Sequence, residues 1–405
     1  MSWKRTFIFA FIAQFFGILG FSFATPFLPF FVADLGMADP GRQALWAGVA
    51  LSSGGLTFAI FAPVWGIMAD RYGRKPMVCR AMFGGAVAIF LMSFSQTVPQ
   101  LIMFRIFQGA FSGTIAASIA LVAGVVPLRR SGFALGMMQA AVFIGNAIGP
   151  FCGGLAADAF GYRNSFRIGA CLTLLAGLLT LFGTREHFAP PDKQTAGRNP
   201  GFWKILMLPG FLLSAGILFS VRLSNSISNP SFPLIVRDMV DSLTALNSIT
   251  GSVIGAAAVA AAGSAAILGY IGDRIGRRRV LLGCCLGAAV ASVGHYFADS
   301  IAFLFFVRIL FGFTVAGMLP AGNAMIQSIV SKGSIGKAYG LATSLSMLGT
   351  AIGPTLGGFL AMQAGVRIPF LVTAAGQLCL AALILRFLDD PIRPPVNIND
   401  KASTQ

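Results

Sequence analysis

The chain has 405 residues, of which 56% are hydrophobic and only 10% are Asp, Glu, Lys or Arg. A soluble domain carries roughly 25% charged residues. Too few polar groups are present to coat a water-facing surface, which excludes a soluble enzyme, a disordered chain and a secreted disulfide scaffold. The net charge of +16 sits in short Lys/Arg clusters between long apolar runs. That is the pattern of a membrane protein oriented by its loops, and a basic stripe for phosphate contacts is missing.

A membrane helix needs roughly 20 apolar residues. Apolar runs predict twelve spans: 6–32, 44–69, 76–95, 99–127, 132–157, 164–184, 208–236, 244–271, 279–298, 300–330, 335–361 and 365–388. Lys4 and Arg5 precede the first run, which is too long for a signal-peptide core. It is therefore read as span 1, with its N-terminus in the cytoplasm. In this arrangement 21 Lys and Arg fall on the cytoplasmic side, five on the other side and three inside spans. The bias places both termini in the cytoplasm.

Span 1 carries Gln14, Phe21 and Thr25, with Pro26 and Pro29 beyond them and Asp34 near its outer end. The loop after span 2 reads Gly66-x-x-x-Asp70-Arg71-x-Gly73-Arg74-Lys75. Such a glycine lets a neighbouring backbone approach. An Asp beyond it can sit at a facing helix N-terminus, where the helix dipole favours negative charge. Span 4 carries Arg105, Gln108, Gly109, Thr114 and Ser118; an arginine inside a membrane is a functional candidate by default. Span 5 carries Gly145, Gly149, Pro150, Gly153 and Gly154 at helix-packing spacing.

Residues 185–204 are polar and rich in Pro, which reads as a cytoplasmic linker. It separates a bundle at 1–184 from a bundle at 205–388, with a cytoplasmic tail at 389–405. In span 7, Arg222, Asn225 and Asn229 are spaced i, i+3, i+7 and are expected on one interior helix face. The loop after span 8 reads Gly269-x-x-x-Asp273-Arg274-x-Gly276-Arg277-Arg278; in span 10 Arg308 begins a weaker copy of the Arg105 segment, and Asn323 and Gln327 are the polar residues it offers. Span 11 repeats Gly349-x-x-x-Gly353-Pro354-x-x-Gly357-Gly358. The two halves thus match at an offset of 203 or 204 residues: Asp70 with Asp273, Arg105 with Arg308, Pro150 with Pro354, and Gly161-x-Arg163 with Gly365-x-Arg367. Six spans per half make the repeats parallel, related by an axis along the membrane normal.

The duplicated loop resembles the signature G-x-x-x-D-R-x-G-R-[KR] of the major facilitator superfamily. The Gly-Pro-x-x-Gly-Gly segments resemble the antiporter motif of its twelve-helix drug:proton antiporter family. Arg105-x-x-Gln108-Gly109 is similar to a third family motif, and Trp3-Lys4-Arg5, Pro26-x-x-Pro29 and Asp34-x-Gly36 resemble bacterial multidrug exporters of that family. The resemblance implies an all-α integral membrane fold of two pseudo-symmetric six-helix bundles, monomeric, with substrate held between them. Spans 1, 4, 7 and 10 would line the pathway, making Gln14, Phe21, Thr25, Thr114, Arg222, Asn225, Asn229, Asn323 and Gln327 the substrate-binding candidates. Asp34 and Arg105 are the candidates for proton coupling; Na+ is the other possible ion. Gating falls to Gly66, Asp70, Arg71, Gly73, Arg74, Asp273 and Arg274. By pseudo-symmetry Asp70 would meet span 11 near Ser334 and Gly336, and Asp273 would meet span 5 near Ser131 and Gly132.

No acidic residue lies at a span centre. Exporters of cationic drugs usually place a carboxylate there, so an anionic or neutral substrate is expected. Asp158, Asp238 and His295 follow Asp34 as proton sites. The expected activity is proton-coupled efflux of drugs or amphipathic molecules in a bacterial inner membrane. A dedicated metabolite or siderophore exporter is the alternative, and an importer is disfavoured. An enzyme would need clustered His or carboxylates, and an ATP-driven pump a G-x-x-x-x-G-K-[ST] loop; neither is present. No cofactor, metal or nucleic acid is expected, and the six cysteines read as free thiols.

Overall fold

In the computed structural model the described residues are 3–186, 207, 211–240, 243–329 and 335–387. They are helical and connected by short turns, and strands are absent among them. Among the described residues ten helices are long and apolar enough to cross a membrane. One of these, Leu128–Gly183, is two spans joined at Gly161, whose φ of +79° breaks the helix. Span 7, Phe211–Ile227, has 17 residues and is extended by a second short helix. Twelve spans result. The inter-bundle segment proposed at 185–204 and the tail lie almost wholly outside the described residues.

Four tight turns repeat across the halves, and each rests on a glycine with positive φ: Gly73 and Gly276, then Gly161 and Gly365. A side chain resists that backbone region, and glycine does not. Beside the second pair, Arg163 Nη1 donates to the Ser93 carbonyl (2.8 Å) and Arg367 Nη1 to the Tyr296 carbonyl (3.0 Å). The duplicated Gly-x-Arg thus makes a turn and satisfies a carbonyl at the end of a neighbouring helix, span 3 in one half and span 9 in the other. At the opposite end Lys75 Nζ donates to Leu181 O and Arg278 Nη2 to Leu385 O, both at 2.7 Å.

Three expected spans are not continuous. Span 1 runs Trp3–Phe23, passes through a 3-10 turn at Thr25–Phe27, and resumes as Leu28–Asp34. Span 7 stops at Ile227 and resumes as Phe232–Asp238. Pro26 and Pro29 in one, Pro230 and Pro233 in the other, lack the N–H that would continue the ladder and clash with the preceding turn. Span 4 breaks between Phe111 and Thr114, at Gly113 with φ +118°. Its counterpart, span 10, runs unbroken over Ile301–Ile329.

Within a bilayer, burial from water does not drive helix association; close packing does. The duplicated glycines supply it. A β-carbon at Gly153 would collide with the Phe23 carbonyl, and one at Gly357 with the Ile227 carbonyl. Ser22 Oγ, in contact with Gly149, donates to Ile18 O (2.8 Å) with Gly145 O at 3.2 Å. Ser226 Oγ reproduces this against Arg222 O (2.8 Å) and Gly349 O (3.1 Å). Span 5 is thereby fastened to span 1, and span 11 to span 7.

A cavity between the halves

The prolines that interrupt spans 1 and 7 open a cavity of about 460 Å³ between the two halves. Span 1 contributes Ile18, Phe21, Ser22, Thr25, Pro26 and Pro29; span 7 contributes Asn229, Pro230, Phe232 and Pro233. Asn146 and Pro150 of span 5, Leu51 of span 2, Ile254 and Ala258 of span 8, and Arg308 of span 10 complete the wall. The wall is mostly apolar, with a few fixed polar groups, the usual build of a small-molecule site. Among the described residues no carboxylate lines it.

The end of the bundle away from the chain termini is sealed. Asp158, at the end of span 5, accepts from the backbone N–H groups of Asn247 (3.1 Å) and Ser248 (2.8 Å), the Asn247 amide (2.8 Å) and the Ser248 hydroxyl (2.7 Å). A carboxylate thus caps the first turn of span 8 from the other half, where orphan N–H groups and the dipole favour it. Gly154 lies against the Asn247 carbonyl, Gly251 against that of Pro150, Gly48 against that of Pro354, and Gly358 against that of Ala44. Arg237 Nη1 donates to Gln43 Oε1 (2.9 Å), again across the halves. A buried cluster containing Phe27, Phe30, Phe232, Ile235 and Phe370 fills the space between.

Toward the termini the same helices part. Gly255 would place a β-carbon 2.6 Å from the Ala147 carbonyl. Further along, Gly263 and Gly269 of span 8 and Gly132 and Gly136 of span 5 have no neighbour within 4 Å of that position among the described residues. Among the described residues the cavity is thus closed at one end, and the helices beside it part at the other.

Of the expected substrate residues, Phe21, Thr25 and Asn229 line this cavity. Arg222, Asn225 and Asn229 do not share a helix face, because the helix ends at Ile227 and Asn229 lies in the turn beyond it. Asn225 instead accepts from Gln377 Nε2 of span 12 (3.0 Å). Arg222 is partly buried beside Gly349, with its Nε unpartnered. Gln14 is fully buried with both amide atoms unpartnered, and Thr114 is buried just after the span 4 break. The side chains of Asn323 and Gln327 lie outside the described residues.

Arg105 is buried and donates through Nη1 to Gln108 Oε1 (2.8 Å). Both border a separate void of about 10 Å³ behind Phe21 and Thr25, about the size of one water. Asp34 is exposed at the end of span 1. In the gating loop Gly66, Asp70 and Arg71 are exposed. Gly73 makes the turn, and the backbone N–H groups of Arg74 and Lys75 donate to Glu186 at 2.7–2.9 Å. Arg274 lies over Tyr270, 4.4 Å from the ring centroid. The Asp273 side chain and Ser334, an expected counterpart of Asp70, lie outside the described residues, and Gly336 sits in the first turn of the helix Ile335–Ala364.

A Major Facilitator Superfamily model matches residues 10–221 and again 215–405, one match per half. The chain belongs to the Major Facilitator Superfamily. It is 33% identical over 383 residues to the multidrug resistance protein MdtG of Proteus mirabilis, covering 92% of this chain and 93% of that one. It is 30% identical over 382 residues to the multi-drug resistance efflux pump PmrA of Streptococcus pneumoniae, covering 94% of each. Among solved structures, a bacterial homolog of the human lysosomal transporter Spinster, inward-facing and occupied, superposes with a TM-score of 0.78 at 14% identity, over 94% of this chain and 96% of that one. The nucleoside transporter NupG gives 0.75 at 18% identity, over 95% and 98%. The chain is thus a multi-pass transporter of this superfamily, a fold of transporters rather than enzymes.

Reading by residue type missed Arg308, Asn146 and the role of Asp158 as an inter-half cap. The repeat held the signal for Arg308, which occupies the register of Arg105. Asn146 sits between Gly145 and Gly149 and could have been found as the polar residue of the packing motif.

Proposed function

We propose that this transporter exports amphipathic, neutral or anionic small molecules by alternating access, driven by protons, from the cytoplasm of a bacterial cell. The observation that carries the proposal is the cavity between the halves, sealed at one end by cross-half contacts and parted at the other. The Lys/Arg bias supports an open end that faces the cytoplasm, with both termini there, and the polar, Pro-rich composition of 185–204 supports a linker joining the two bundles. The printed names of the relatives support efflux of more than one compound.

Substrate enters from the cytoplasm and meets Phe21, Thr25 and Asn229. Opening outward requires the Asp158 cap on span 8 to release. Closing inward brings the Asp70 and Asp273 loops against spans 11 and 5. Asp34 carries the proton, and Arg105, close behind Phe21 and Thr25, links its state to the cavity. The protein acts as a monomer, since both halves of the site come from one chain.

Purified protein in proteoliposomes tests this reading. An imposed proton gradient should drive uptake of an amphipathic dye in the vesicle fraction whose cytoplasmic face points outward. Collapse of the gradient should stop that uptake. Equal dye movement with and without the gradient would contradict proton-driven export.

A further inference from the structure

Arg308 is a cation at the cavity wall with no carboxylate to neutralise it among the described residues. Its guanidinium carbon lies 4.1 Å from the Phe232 ring centroid and 5.5 Å from that of Phe311. Its Nε has no hydrogen-bond partner. Stacking on ring faces fixes the plane of a guanidinium while leaving its N–H edge free to bond. The support behind it is rigid. His295 is buried, donates through Nδ1 to the Ala291 carbonyl (2.7 Å), stacks on Phe370 at 5.2 Å, and meets Phe232 and Phe311 edge-on.

Its repeat partner differs. Arg105 already has Gln108 as an acceptor and faces a void that holds about one water. Arg308 faces about 460 Å³ with an unused donor edge. The same wall carries Phe21 and five prolines, and Asn146 and Asn229 add two amides without side-chain partners among the described residues.

We infer that Arg308 is the charge-recognising residue of the cavity and that it takes the carboxylate of a planar aromatic acid. The ring lies against Phe21 and the anion meets the guanidinium edge. The inference rests on the cavity being the substrate site. A cation brought there would meet a positive charge with nothing to offset it, and a neutral molecule would leave the donor edge unpaired.

The test is equilibrium dialysis of the full-length protein in detergent against 7-methoxycoumarin-3-carboxylate and its neutral carboxamide, a pair matched in shape. Wild type should bind the acid at least about tenfold tighter than the amide. Arg308→Gln should bring the acid down to the amide's affinity and leave the amide unchanged. Arg308→Lys should keep part of the difference, and Arg222→Gln should keep all of it. Equal affinity of wild type for the two probes, absence of binding to either, or an acid preference that survives Arg308→Gln would overturn the inference. A melting temperature within about 2 °C of wild type shows that each variant is folded; if Arg308→Gln is not, Arg308→Lys carries the comparison. Failure of the export reading looks different: Arg308-dependent binding would remain while gradient-driven movement of every probe is lost.

Discussion

Arg105 and Arg308 stand at the same step of a repeated sequence, each followed four residues later by a glycine packed on a neighbouring backbone carbonyl. Their surroundings are not repeated. Gln108 of the first half becomes Phe311 in the second, and Met92 becomes His295. One arginine is buried with a bonded partner; the other is held by rings at the wall of the cavity. Duplication therefore preserved the backbone frame and left the chemistry free to diverge. Glycines and turns keep their register because a β-carbon has no room there. The side chains facing the cavity are not constrained in that way.

The frame should fail alike in the two halves. Gly153→Ala and Gly357→Ala each place a methyl against a backbone carbonyl, so both should cost about 1–3 kcal/mol, the range for overpacking. Thermal melting should show equal, large losses, while Gly269→Ala, with no close neighbour among the described residues, should melt as wild type. A large loss for only one of Gly153 and Gly357 would break the symmetry of the frame.

The caps come next, and they are not symmetric. Asp158 spans the halves, whereas the equivalent register in the second half holds Met362. Asp158→Ala should cost roughly 1–2 kcal/mol, as for loss of an N-cap, and all of it falls on the state sealed at this end. That shifts the population toward outward opening by roughly tenfold. A maleimide reagent added outside should label Thr25→Cys faster in the Asp158→Ala background, with the native cysteines replaced by serine. Unchanged labelling would mean that the cap does not hold the seal. The smallest effect is expected for Glu186→Ala, which removes the carboxylate on the Arg74 and Lys75 N–H groups at a partly exposed helix start. The loss should be about 0.5–1 kcal/mol in melting, with transport retained.

Much of the fold was legible from the chain. The repeat offset, the positive-φ glycines and the duplicated packing motif all follow from backbone requirements that only certain residues meet. The proline pairs in spans 1 and 7 were visible too, and their consequence is physical: a helix interrupted there cannot carry one face through to Asn229. That is why Arg222, Asn225 and Asn229 separate, and why Asn225 turns to span 12. Rotation of a span about its axis was not legible. Arg222 and Arg308 are alike as intramembrane arginines, and only packing against neighbours decides which of them meets the cavity.

The most direct measurement compares the two arginines in one assay. Bacterial cells lacking their principal efflux pumps would express wild type, Arg105→Gln or Arg308→Gln, and efflux of the coumarin carboxylate and carboxamide would be followed with and without a protonophore. Wild type should extrude both compounds and stop when the gradient collapses. Arg105→Gln should slow both at least about tenfold, a barrier change of roughly 1.4 kcal/mol. Arg308→Gln should slow the acid to the rate of the amide and leave the amide unchanged. The same pattern of loss in the two variants, or efflux that continues after the protonophore, would contradict the account.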